Sequence, residues 1–174
     1  MAAIHDSMPH TLEFSNKGYN AFVTVYRPGV QTACEDLSWA IAYVQDHADE
    51  LGVSMDGYSI CGGSAGARMV DWVRSEGTSA SINENCPRLV AIVMQYTGLS
   101  EVTGEKLPTY SNVGTADGIT NWRVMSDRCD ELNARGIPAQ IEVFYGLYHS
   151  LGLGIGTVAE GWLDHAVSFW EDQV

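Results

Sequence analysis

Tyr58-Ser59-Ile60-Cys61-Gly62-Gly63-Ser64-Ala65-Gly66-Ala67-Arg68-Met69 is the stretch on which the fold turns. Tyr58 to Cys61 reads as a short strand that runs straight into Gly62-Gly63-Ser64. A helix is expected to follow from about Ala65 to Arg74. A serine on so sharp a strand-to-helix turn has its hydroxyl lifted clear of the sheet, and its own backbone angles are strained. Gly62 and Gly66, two residues to either side, relieve the crowding, with Gly63 completing the elbow. A helix that begins at Ala65 aims its first amides at the same spot, so the N–H of Ala65 is placed to stabilise an oxyanion. In a chain with 18 glycines a Gly-x-Ser-x-Gly pattern also arises by chance. Its place between a strand and a helix makes Ser64 the candidate nucleophile.

On either side of this turn, the rest of the 174 residues alternates between two periodicities. Residues 5–17 read as a short helix ending at Lys17-Gly18. Asn20 to Tyr26 is β-rich and is closed by Arg27-Pro28-Gly29. From Gln31 to Leu51 the pattern is helical, with Leu37, Ile41, Val44 and Ala48 recurring at three- and four-residue steps until Gly52 stops it. Leu89 to Met94 is a continuous apolar run, the mark of a strand buried on both faces. Residues 109–113 make a weaker strand, 120–134 a helix ending before Gly136, and 139–145 an alternating strand with Ile141, Val143 and Tyr145 on one face. A last helix is expected over about 158–170. This order predicts an α/β architecture in one domain, residues 1–174, with about five mostly parallel strands and helices on both faces.

A serine hydroxyl is a poor nucleophile until a base removes its proton. His149 follows the final strand and precedes the final helix, which puts it at the carboxyl edge of the sheet, where the sites of open α/β folds lie. His5, His10, His47 and His165 fall within helices, and His165 is read as a surface or packing residue. Asp117 follows the strand before His149's. The chain order Ser, Asp, His is that of the hydrolytic triad on this type of sheet, in which the acid orients the imidazole. Asp127 and Asp130 lie further into the next helix. Glu142 and Asp164, on a strand and a helix, are read as structural. Tyr148, Leu99 and Trp122 are candidate pocket walls, with core packing the equal alternative for each.

The formal net charge of −13 repels nucleic-acid phosphates and anionic lipid, so neither a nucleic acid nor a membrane is expected as a partner. No run of roughly eighteen apolar residues appears. The first residues lack a basic region followed by an apolar run, which leads us to expect a cytoplasmic location. Cys34, Cys61, Cys86 and Cys129 have no C-x-x-C spacing, and we expect small buried side chains rather than a metal site or a disulfide scaffold.

Five further stretches extend this picture: Tyr26-Arg27-Pro28-Gly29, Ala33-Cys34-Glu35-Asp36, Gly114-Thr115-Ala116-Asp117, Gly146-Leu147-Tyr148-His149 and the tail Gly152 to Leu163. With Gly62 to Met69 they make a combination that resembles the α/β-hydrolase esterases of the hormone-sensitive-lipase and acetyl-esterase type, in particular a bacterial subgroup of xylan-esterase-like hydrolases. The resemblance spans nearly the whole chain. It implies cleavage of a small-molecule carboxylic ester through an acyl-enzyme, with short-chain acyl groups such as acetyl on sugars as substrates and no cofactor or metal. It carries the triad onto Ser64, Asp117 and His149. It also implies about three further strands at the front and a His-Gly-Gly-Gly-like loop supplying a second oxyanion donor, neither of which the sequence contains. An N-terminally shortened sheet is therefore expected. Its strands at 20–26 and 57–61 would pair directly, or a homo-oligomer would form through the exposed edge. The alternative function is that of a weakly active or inactive scaffold that needs a partner chain. A third is a peptidase or acyltransferase sharing the triad.

Overall fold

The computed structural model describes residues 7–75 and 89–174. Four parallel strands, β1 (Ser59–Gly63), β2 (Ala91–Gln95), β3 (Thr109–Gly114) and β4 (Ala139–Phe144), lie side by side in sequence order. The registers Gly63↔Gln95, Gln95↔Asn112 and Asn112↔Glu142 bring their carboxyl ends to one edge. Helices α1 (Met8–Asn16), α2 (Val30–Asp46), α3 (Ala48–Leu51), α4 (Ala65–Ser75), α5 (Trp122–Ala134) and α6 (Trp162–Glu171) complete the element order.

The apolar run of β2 is buried at every residue, and its alternation splits it between two cores. Ile92 and Met94 pack with Leu37 and Ile41 of α2 and Val70 and Val73 of α4. Ala91 and Val93 face the other way, onto Trp162, Leu163, Ala166 and Phe169 of α6. On that second face His10 of α1 is buried, its ring 5.6 Å from that of Trp162. A charged core joins the first layer. Asp71 of α4 pairs at 2.6 Å with both Lys106 and Arg128 of α5, all three side chains being 3 % exposed or less. Arg128 also donates to the Glu101 carbonyl, so the network ties α4 to α5 and to the loop between β2 and β3. Among the described residues no helix is long and apolar enough to cross a membrane.

The structure departs from expectation in several places. Residues 20–26 form no strand. β1 pairs with β2, and no described residue pairs with its other edge, so four strands stand where five were expected and the direct pairing of 20–26 with 57–61 does not occur. β-propensity reports fit to a half-buried pleated surface. Without a ladder to join, this segment leaves Phe22 and Val25 exposed. The long helix breaks at His47, whose ring stacks on Tyr43 at 4.1 Å and bonds its carbonyl. β3, expected as the weaker strand over 109–113, is buried throughout although it mixes Thr, Tyr, Ser and Asn. Thr109 donates its hydroxyl to Leu107 and Tyr110 donates to Glu142. Tyr145 lies beyond β4 and is exposed. The last helix begins at Trp162, later than expected, because Thr157, Glu160 and Gly161 build a turn: Thr157 bonds Gly154, Glu160 accepts from the Gly156 N–H, and Gly161 has φ +91°. Cys34 and Cys129 are buried as expected, Cys61 on the edge strand is exposed, and Cys86 lies outside the described residues, as does His5.

Candidate active site

The loops that leave the carboxyl edge of the sheet after β1, β3 and β4 carry Ser64, Asp117 and His149. Ser64 follows β1 and is held at φ +53°, a left-handed backbone that a side-chain-bearing residue adopts only under constraint. Its N–H donates to the carbonyl of Gln95 on β2 at 2.9 Å, which pins the elbow to the neighbouring strand. A Cβ at Gly62 would fall 2.5 Å from the backbone of Gly66, so the strand and the helix touch here main chain to main chain. At Gly66 itself a Cβ would meet nothing within 4 Å, so the glycine pair does its work from the Gly62 side. Ala65 opens α4, and its N–H belongs to the first turn, where helical amides have no acceptor of their own.

Asp117 sits in the turn after β3, with its side chain fully buried. One carboxylate oxygen, Oδ1, accepts the N–H groups of Ile119 and Thr120, each at 2.8 Å. The other, Oδ2, lies 2.7 Å from Nδ1 of His149. A carboxylate only accepts, so Nδ1 carries the proton and Nε2 is left as an acceptor. Nε2 lies 3.1 Å from Oγ of Ser64. The loops after β3 and β4 are stitched together by Thr115 N–H to the Phe144 carbonyl, Ala116 N–H to the Leu147 carbonyl, and Gly146 N–H to the Thr115 hydroxyl. The imidazole is held between a buried acid and a partly buried hydroxyl, an arrangement that can draw the serine proton toward Nε2.

The other sequence candidates are placed elsewhere. His165 bonds Glu142 at 2.8 Å on the exposed side of α6, and Asp164 pairs with Lys17. Asp127 and Asp130 are exposed on α5. Leu99 is buried in the core with α2 and α4. Tyr148 is exposed. Trp122 lines a cleft of about 290 Å³ together with Thr115, Asp117, Asn121 and Arg123, whose guanidinium lies 4.3 Å from the centre of the Trp122 ring. Two residues at the site escape a reading of the sequence, Tyr96 and Thr120. Tyr96 stands one residue past the end of β2, at the same edge as the others, and that position was the available signal.

No family model and no curated protein sequence matches the chain. Solved structures do. An acetyl ester-xyloside bifunctional hydrolase from Caldicellulosiruptor lactoaceticus superposes with a TM-score of 0.79 at 18% identity, over 94% of this chain and 75% of that one. The α/β hydrolase enzyme MGS-M1, from a Medee basin deep-sea metagenome library, gives 0.75 at 21%, over 94% and 75%. The sugar hydrolase YeeB of Lactococcus lactis gives 0.74 at 17%, over 95% and 81%. The likeness is one of fold: the chain has the α/β-hydrolase fold.

Proposed function

We propose that this protein is a serine hydrolase of carboxylic esters, with Ser64 as nucleophile, His149 as base and Asp117 as the acid that orients it. The observation that carries the reading is the unbroken chain Asp117 Oδ2, His149 Nδ1, His149 Nε2, Ser64 Oγ, with contacts of 2.7 and 3.1 Å. In the first half-reaction Oγ attacks the ester carbonyl carbon while its proton passes to Nε2. The carbonyl oxygen becomes an oxyanion beside the N–H of Ala65. Collapse of the tetrahedral species breaks the carbon–oxygen bond to the alcohol, which leaves with the proton from Nε2. In the second half Nε2 takes a proton from water, the resulting oxygen attacks the acyl carbon, and the acid departs as Oγ recovers its proton. Asp117 stays ionised throughout and stabilises the imidazolium. No step calls for a cofactor.

The substrates we propose are short-chain acyl esters, acetyl groups on sugars among them. The similar structures support this class: one is described as an acetyl ester-xyloside hydrolase, one as a sugar hydrolase and one as an esterase from Thermogutta terrifontis with propionate bound. Turnover of p-nitrophenyl acetate by the wild type and by Ser64→Ala tests the proposal. The expected result is a fall of more than about 10³-fold in kcat. Equal rates sink it.

A further inference from the structure

Three non-glycine residues among those described have a left-handed backbone: Ser64 at φ +53°, Tyr96 at φ +36° and Ser150 at φ +60°. Strain of this kind persists only where the surroundings over-determine it, and it gathers at functional sites. Ser64 is the candidate nucleophile and Ser150 follows the candidate base. Tyr96 has no role in the mechanism above, yet its neighbours are the parts of that mechanism. Its ring meets the imidazole of His149 at a centroid distance of 4.8 Å, the planes inclined by 66°. Its hydroxyl lies against Gly63 of the elbow, so closely that a Cβ built on Gly63 would stand 2.5 Å from it. Its carbonyl accepts the hydroxyl of the buried Thr120 at 3.0 Å, and the N–H of Thr120 is one of the two that hold Asp117. Its own N–H donates to the Asn112 carbonyl on β3 at 2.8 Å, and its ring packs with Val113 and Met125.

We infer that Tyr96 is a positioning residue, and that its ring holds the His149 imidazole in the plane that joins Asp117 to Ser64. The inference rests on the hydrolase reading above. An imidazole bonded at Nδ1 still pivots about that bond, and pivoting swings Nε2 away from Oγ. A phenol ring against the imidazole blocks the pivot. The same residue touches the nucleophile turn and, through Thr120, the acid turn, so all three groups share one rigid reference. Effects of this kind are read in kcat, because a displacement of about 1 Å at a reacting atom costs on the order of 100-fold in rate while leaving ground-state binding in place.

The test compares Tyr96→Leu and Tyr96→Phe with the wild type. Tyr96→Leu removes the ring and should lower kcat for p-nitrophenyl acetate by about 10- to 100-fold, with KM changed by less than about twofold. Tyr96→Phe keeps the ring and should restore kcat to within about threefold of the wild type. The downfield proton resonance of His149 Nδ1–H, observed by NMR on the resting protein, should be sharp in the wild type and in Tyr96→Phe, and broadened or lost in Tyr96→Leu. Wild-type kcat in Tyr96→Leu, or an equal loss in both variants, overturns the inference. If Tyr96→Leu does not fold, Tyr96→Met takes its place, as a flexible apolar filler without a ring. If that variant also fails to fold, Tyr96 is a core residue first and the inference falls. A wild type without turnover defeats the hydrolase reading alone, since the NMR comparison then decides the role of Tyr96 by itself.

Discussion

Asp117→Asn is the substitution whose consequence the site dictates most completely. The replacement is isosteric, so the decisive question is which way the new amide faces. The N–H groups of Ile119 and Thr120 both donate to Oδ1 at 2.8 Å, and only the oxygen of the amide can satisfy them. The NH₂ group is thereby forced into the place of Oδ2, 2.7 Å from Nδ1 of His149. An NH₂ donates and does not accept, so Nδ1 must give up its proton to receive it. The proton moves to Nε2, which then points an N–H at Oγ of Ser64 and cannot take the serine proton. A wrong tautomer of this kind typically costs about 10⁴-fold in kcat, or about 5 kcal/mol of transition-state stabilisation. The fold should survive, since each backbone N–H keeps its acceptor and the volume is unchanged. The loss of a charge-assisted bond inside the turn should cost about 1–3 kcal/mol of stability. The assay is steady-state hydrolysis of p-nitrophenyl acetate, with thermal unfolding as the control. A variant that unfolds near the wild-type temperature and keeps kcat within about tenfold refutes the tautomer argument, and Asp117 would then not be the orienting acid.

Two further outcomes follow from the fold. Asp71→Ala leaves the ammonium of Lys106 and the guanidinium of Arg128, each only 3 % exposed, without their shared carboxylate. It should lower stability by about 3–5 kcal/mol in urea unfolding, and a loss below about 1 kcal/mol would show that the network is solvated in solution. The hydroxyl of Tyr19 donates to Glu171, and this bond, with a smaller contribution from burial, raises the phenol from 10.0 to about 12. A group whose folded pKa is raised stabilises the protein fully below its unfolded pKa. That contribution therefore holds below about pH 10 and is lost as the pH climbs toward 12. Ultraviolet titration should show Tyr19 ionising late, alongside Tyr110, which burial and its bond to Glu142 raise further, and Glu171→Gln should bring Tyr19 alone back toward the ordinary value. Unchanged titration in the variant would contradict the assignment.

The parts of the fold that are local in sequence were legible in it. The turn at Gly62-Gly63-Ser64 declares itself because strain, glycines and helix start all fall within a few residues. The apolar run of β2 declares its burial on both faces for the same reason. What escaped depends on neighbours distant in the chain. Residues 20–26 have the composition of a strand, but a strand exists only in a ladder, and none of the described residues offers them one. β3 looked weak because the partner of Tyr110 is far away in the chain: its hydroxyl reaches Glu142, 32 positions on. The Asp71 network joins residues 35 and 57 positions apart, and no pattern of spacing marks such a cluster. At the site, Ser64 and His149 are 85 positions apart and were still expected together, because chain order along a parallel sheet converts into position along one edge. Tyr96 obeys the same rule, but a tyrosine after an apolar run reads as core until its backbone angle and its contact with His149 are seen.

Activation of Ser64 Oγ by His149 can be read by treating the protein with a fluorophosphonate and mapping the adduct by mass spectrometry. A single phosphonyl group on Ser64, absent from Ser64→Ala and formed much more slowly in His149→Ala, is the result predicted. An unmodified protein, or a label on another residue, would contradict it.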